Sequence, residues 1–109
     1  LSTGSGTKTF SPFTKFPAVY RDISIIVKRQ LESAQIGDII KRQGGELVES
    51  VQIFDVYEGQ GIDLTEKAMA FRICYRSEHG TLDGEEINRL HESVIESIRQ
   101  ETGGRLREG

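Results

Sequence analysis

The stretch LVESVQIFDVYEGQGIDLTEKAMAFRICYRS, residues 47–77, decides the architecture. Two runs rich in β-branched and aromatic residues, 47–57 and 67–77, flank a polar connection that opens on Glu58-Gly59-Gln60-Gly61, the pattern of a β-hairpin. Side chains alternate across a strand. Unbroken alternation therefore puts Gln52, Phe54 and Val56 on one face of the first run and Val51, Ile53, Asp55 and Tyr57 on the other. In the second run Met69, Phe71, Ile73 and Tyr75 oppose Ala68, Ala70, Arg72 and Cys74, and the first of these sets is the greasier and predicts the side that helices cover.

Upstream of the hairpin, residues 20–28 alternate Ile23, Ile25 and Val27 with Asp22, Ser24 and Ile26, which reads as a first strand. Ser33 is placed to cap a helix carrying Ile36, Ile39 and Ile40, and Gly44-Gly45 suits its end. Downstream, Asp83 and Glu86 have capping-box spacing, with Leu82 and Ile87 as the flanking staple. Ile87, Leu90, Val94 and Ile98 then form one apolar stripe, leaving Glu85, Glu92, Glu96 and Arg99 to solvent. Thr102-Gly103-Gly104 stops this second helix, and residues 105–107 suit a short last strand. The order strand-helix-strand-strand-helix-strand predicts an α+β fold, the ferredoxin-like split β-α-β sandwich: a four-stranded antiparallel sheet with two helices on one face. The other face stays open and is expected to carry Ser24, Asp55, Tyr57, Ala68, Ala70 and Arg72.

At 109 residues and 36% apolar content the chain suits one domain around one core. Residues 1–11, Ser/Thr/Gly-rich at first and not starting with Met, read as a linker or an expression remnant, leaving 12–109 as the folded unit. No long apolar run suggests a membrane span, and the single cysteine, Cys74, leaves no internal disulfide and no cysteine metal cage. A cytoplasmic location is the expectation. The net charge of −3 argues against a general phosphate binder, but residues 1–76 hold ten Lys/Arg against nine Asp/Glu while residues 77–109 hold four against eight. The acid excess thus sits in the last third.

Little in the chain suggests catalysis. His79 lies in a turn and His91 beside the apolar stripe of the second helix, without a partner motif for general acid–base work. Glu85 and Glu86 occupy the first turn of that helix, where acids offset its dipole. Gly59 and Gly61 form a lone G-x-G in a hairpin, with no strand-to-helix turn to cradle phosphate. Cys74 reads as a packing residue. The open face is more informative. A Tyr57 ring can stack an unpaired base, while the Asp55 carboxylate can accept from both N1–H and the exocyclic amine of guanine. Small neighbours such as Ser24 and Ala68 let a base approach, and Arg72 can meet phosphate or stack. The alternative is that Asp55 and Tyr57 merely solvate an exposed sheet.

The series Lys15-Phe16-Pro17, Arg21-Asp22, Gly44-Gly45 and Glu49-Ser50-Val51, leading into Phe54-Asp55-Val56-Tyr57-Glu58-Gly59, resembles the C-terminal domain of bacterial phenylalanyl-tRNA synthetase β subunits. The likeness continues through Ala70-Phe71-Arg72, Tyr75-Arg76-Ser77, Thr81-Leu82, Glu85-Glu86-Ile87-Asn88 and Gly103-Gly104-Arg105-Leu106-Arg107, covering about residues 12–107. It implies a ferredoxin-fold anticodon-binding domain that grips the first anticodon base of tRNA(Phe), a guanine. It also implies an α2β2 enzyme whose α subunit carries catalysis with ATP and Mg2+, so that this domain needs no cofactor of its own. Its base contacts fall on Ser24, Asp55, Tyr57 and Ala68. The family pattern has serine where Ala68 stands, so a contact there uses backbone or van der Waals approach, with Ser24 bringing a hydroxyl from across the sheet. Arg21 and Asp22 belong to the same pattern, as loop braces or RNA contacts, and Lys15 is placed to reach a phosphate.

Other classes remain open on sequence. An RRM-like single-stranded RNA binder lacks its basic-Gly-aromatic third-strand signature here, with Phe71 and Tyr75 expected to face the core. A protein-docking or small-molecule sensing module and a small hydrolase use the same fold.

Overall fold

The computed structural model describes residues 16–107. The linker expected over residues 1–11 and the contact expected of Lys15 lie outside them. The order is β1 (Val19–Lys28), α1 (Ser33–Gly44), a 3-10 turn over Gly45–Leu47, β2 (Val48–Tyr57), β3 (Glu66–Tyr75), α2 (Gly84–Thr102) and β4 (Arg105–Leu106). The strands form one antiparallel sheet in the order β2-β3-β1-β4. This is the expected ferredoxin-like α+β arrangement.

Both helices lie on one side because the apolar residues of every long element are phased to meet there. Ile23, Ile25 and Val27 of β1 and Met69, Phe71, Ile73 and Tyr75 of β3 form one buried cluster with Ile36, Ile39 and Ile40 of α1 and Ile87, Val94 and Ile98 of α2. Burying a large aliphatic or aromatic side chain stabilises by about 1.5–3 kcal/mol, so this layer dominates the stability of so small a domain. Leu82 and Leu90 pack at its margin as the staple and stripe required. Side by side, the helices are linked by Gln43, whose Nε2 donates to Ser93 Oγ at 2.6 Å and whose Oε1 accepts from Ser97 Oγ at 3.0 Å.

The cap of α1 differs by one residue from expectation. Glu32, not Ser33, is the N-cap, and its backbone N–H donates to Gln35 Oε1 at 2.9 Å. A long acceptor three residues into the helix satisfies the entrance, and Ser33 becomes the first helical residue. Asp83 stands at the N-cap of α2 as expected, but its side chain makes no capping hydrogen bond and the capping box with Glu86 does not form; Gly103 ends the helix in the left-handed conformation at φ 73°. Gly104 then passes so close to β1 that an added Cβ would stand 2.9 Å from the Ile26 carbonyl oxygen and 2.7 Å from Val27 Cγ1. That approach lets the two-residue β4 reach β1, pairing Leu106 with Ile25 and Arg105 with Ile26.

Candidate functional site

On the face away from the helices, the sheet register sets side chains in rows. Asp22, Arg72 and Gln52 form one row; Ser24, Ala70 and Asp55 the next; Ile26, Ala68 and Tyr57 the third. The middle row extends past β1, because the Arg107 N–H donates to the Ser24 carbonyl oxygen at 2.8 Å and so continues the β4 ladder. Ser24, Asp55 and Tyr57, singled out on sequence, are thus brought together on one surface.

Asp55 and Tyr57 reach that surface by a route that plain alternation does not give. β2 pairs Ile53 with Phe71 and then Asp55 with Ala70, so Phe54 is an extra residue, a β-bulge. Val51 and Ile53 therefore face the helices with Ile73 and Phe71, whereas Asp55 and Tyr57 face the open side with Ala70 and Ala68. The expectation that Val51 and Ile53 share the face of Asp55 is corrected on this point. So is the placing of Phe54 opposite Asp55: its ring lies 5.2 Å under the Arg72 guanidinium, on the open side.

The other predicted site residues have more definite partners than the sequence revealed. Arg72 is bound in fork geometry to Asp22, Nε to Oδ1 at 2.8 Å and Nη2 to Oδ2 at 3.0 Å. Its hydrogen bonds hold the Asp22 carboxyl below the usual carboxylate range and raise the guanidinium above its own. Arg72 is therefore not an idle cation, and Asp22 braces it. Tyr57 donates its hydroxyl to the Gln60 carbonyl oxygen at 2.8 Å, which fixes its ring on the hairpin. Beneath it, Ala68 is only 3% exposed in a small apolar cluster with Ile26 and Ile62. Ala68 thus forms the floor of the site, and the direct approach expected of it is closed in this arrangement. Ser24 is half-buried and Asp55 exposed.

Two residues that sequence reasoning passed over belong to this face. Phe54 is 54% exposed beside Arg72. The Arg107 guanidinium lies 4.8 Å from the centre of the Tyr57 ring. The available signal for Arg107 was its place two residues after Arg105 in a strand, which puts both on one face.

The helix-covered side holds one further pair of titratable groups. The Tyr75 hydroxyl and His91 Nδ1 are 3.0 Å apart with the rings edge to face. Burial pushes the Tyr75 phenol up to about 12 and, with the Arg21 charge, pulls the His91 imidazole down. His91 is thus a half-buried histidine with a hydrogen-bond partner. Phe71 and Tyr75 are both buried, so neither is a stacking platform. Cys74, on the same face of β3 as Arg72, is buried with Sγ 4.0 Å from Glu49 Oε2. Among the described residues no group of three or more His, Cys, Asp or Glu is placed to hold a metal ion, and no helix is long and apolar enough to cross a membrane.

A family model described as the ferredoxin-fold anticodon binding domain matches residues 14–107. Over 108 residues the chain is 35% identical to the phenylalanine–tRNA ligase beta subunit of Halalkalibacterium halodurans, covering 98% of this chain and 13% of that protein. It is 38% identical over 98 residues to the beta subunit of Thermotoga maritima, covering 90% and 12% respectively. With the beta subunit of Shouchella clausii it shares 39% identity over 93 residues, 85% of this chain and 12% of the relative. The chain spans about an eighth of the length of these curated relatives.

Proposed function

The chain belongs to the ferredoxin-fold anticodon binding domain family, and from that membership we propose that its open sheet face reads the first anticodon base of tRNA(Phe), a guanine, as the C-terminal module of a phenylalanyl-tRNA synthetase β subunit. The observation that carries this reading is the meeting of Asp55, Ser24 and Tyr57 in adjacent rows of one face. The base stacks against Tyr57, whose ring is held by its bond to Gln60. Asp55 accepts from guanine N1–H and the C2 amine; adenine carries no proton at N1 and has its amine at C6 instead of C2, so it cannot donate the same adjacent pair of hydrogen bonds to the carboxylate. Ser24, across Ala70 from Asp55, supplies a hydroxyl to the same base. Arg72, braced by Asp22, offers the exposed edge of its guanidinium to the RNA next to Phe54.

In this reading ligation takes place on the α subunit of a cytoplasmic α2β2 enzyme, where ATP and Mg2+ are used. The present domain contributes tRNA recognition and holds no cofactor. Few phosphate contacts make its own affinity modest, and linkage to the rest of the synthetase raises it.

Titration of the 109-residue chain with an anticodon stem-loop of tRNA(Phe), carrying guanine or adenine at the first position, tests the proposal. Guanine is expected to bind at least about tenfold tighter, the worth of one buried polar group left unpaired. Asp55→Asn should erase that preference. Equal binding of both bases by the unaltered chain would overturn base reading.

A further inference from the structure

Three arginines project from the open face near the base site, and two are neutralised. Arg72 is bound to Asp22, and Arg105 meets Glu66 at 3.2 and 3.3 Å. Arg107 has no carboxylate partner among the described residues and lies instead over Tyr57. β4 and β2 are the two edges of the sheet, about 14 Å apart at the usual strand spacing. Neither side chain crosses that width alone. They meet above the two middle strands, where Ala68 and Ala70 keep the surface low.

Tyr57 packs on Ile26, Ile62 and Ala68 while Arg107 lies over its ring, so a base that stacks on the ring competes with Arg107. We propose that Arg107 holds the stacking position in the free chain, leaves the ring when a base enters, and neutralises the phosphate of that nucleotide. The inference rests on the base-reading role of this face. A cation over a solvent-exposed ring is weakly held, whereas a guanidinium–phosphate contact is charge-assisted and bidentate. The exchange therefore runs downhill once RNA arrives. It also answers an electrostatic need: Asp55, in the same row, carries a charge that repels phosphate, and Arg107 is the group at the other end of that row which offsets it.

The backbone N–H of residue 107 makes the ladder bond to Ser24, so side-chain substitutions leave β4 in place. Arg107→Gln keeps a polar hydrogen-bonding side chain but removes charge; Arg107→Lys keeps charge. Binding of the guanine stem-loop is measured across a salt series, with the Arg107 Nε–H resonance followed by NMR. Arg107→Gln should bind about three- to tenfold more weakly at low salt, with the slope of log K against log salt shallower by about 0.7, the value of one single-strand phosphate contact. Arg107→Lys should keep the slope, and the Nε–H resonance should shift on saturation. An unchanged slope with equal or tighter binding by Arg107→Gln would overturn the proposal, making the arginine a mere cover for the ring. A flattened slope in a chain that fails to prefer guanine keeps the Arg107 role and removes base reading. Guanine preference with an unaltered slope does the reverse, and absence of binding by the unaltered chain removes both.

Discussion

Ile53 and Asp55 stand two residues apart on β2 and face opposite sides of the sheet. In a regular strand they would share a side. The half of β2 before Phe54 faces the helix side, with Val51 packed against the core and Ile53, paired with Phe71, still 39% exposed; the half after it presents Asp55 and Tyr57 on the open side. One extra residue separates a core-facing segment from the segment proposed to meet RNA on the same strand. Substitutions on the two sides should therefore differ in kind: one set moves the unfolding equilibrium, the other moves RNA binding.

The largest effect is expected on the helix side. Phe71→Ala, opposite Ile53, should cost about 3–5 kcal/mol in urea unfolding, and a cost below about 1 kcal/mol would mean that Phe71 does not face a packed layer. Next comes Gly104→Ala. Its methyl group would press on the Ile26 carbonyl and Val27, so a loss of about 1–3 kcal/mol from overpacking is expected, together with weaker protection of the Arg107 amide in hydrogen exchange.

His91 gives the helix side a pH signature. Burial lowers its folded pKa below the unfolded value of about 6.5. The unfolded chain thus takes up the proton first, so stability is full above about pH 6.5 and is lost as pH falls through the window between the two values. The melting temperature should fall from pH 7.5 to 5.5, and His91→Phe should flatten that segment of the profile. Asp55→Asn, on the open side, should shift unfolding by no more than about 0.5 kcal/mol while removing guanine preference. The smallest change is expected from deleting Phe54. The ladder then runs straight, Asp55 stays opposite Ala70, and guanine preference survives; its loss would show that the bulge does more than accommodate an extra ring.

The parts of this molecule that follow from local pattern were legible in the sequence. The β3 alternation, the apolar stripe of α2, the N-cap position of Asp83 and the Gly103 stop each depend on neighbours within a few residues; α2 has the bounds expected of it, while β3 runs Glu66–Tyr75 instead of 67–77. Ser24, Asp55 and Tyr57 were placed on the open face, but the second and third of these for an incomplete reason. A bulge is a property of a pair of strands: nothing within β2 marks Phe54 as extra until β3 supplies a partner for Ile53 and for Asp55. The Asp22–Arg72 fork and the Arg107–Tyr57 contact were hidden for the same cause, joining residues 50 positions apart in one case and opposite edges of the sheet in the other. Ala68 was read as reachable because alternation reports a face and not what folds over it, here Ile62 from the hairpin connection.

The distribution of tyrosines makes this domain its own optical probe. The chain has no tryptophan and three tyrosines: Tyr20 is 60% exposed near one end of the open face, Tyr57 lies half-covered at the other, and Tyr75 is sealed in the core with its phenol protonated to about pH 12. Ultraviolet emission from the native chain therefore sums a wet ring, a half-covered ring and a dry ring. A base stacking on Tyr57 should quench the second alone, so that phenylalanine at position 57 abolishes the quenching and phenylalanine at position 20 leaves it, giving a label-free signal of which ring the RNA meets.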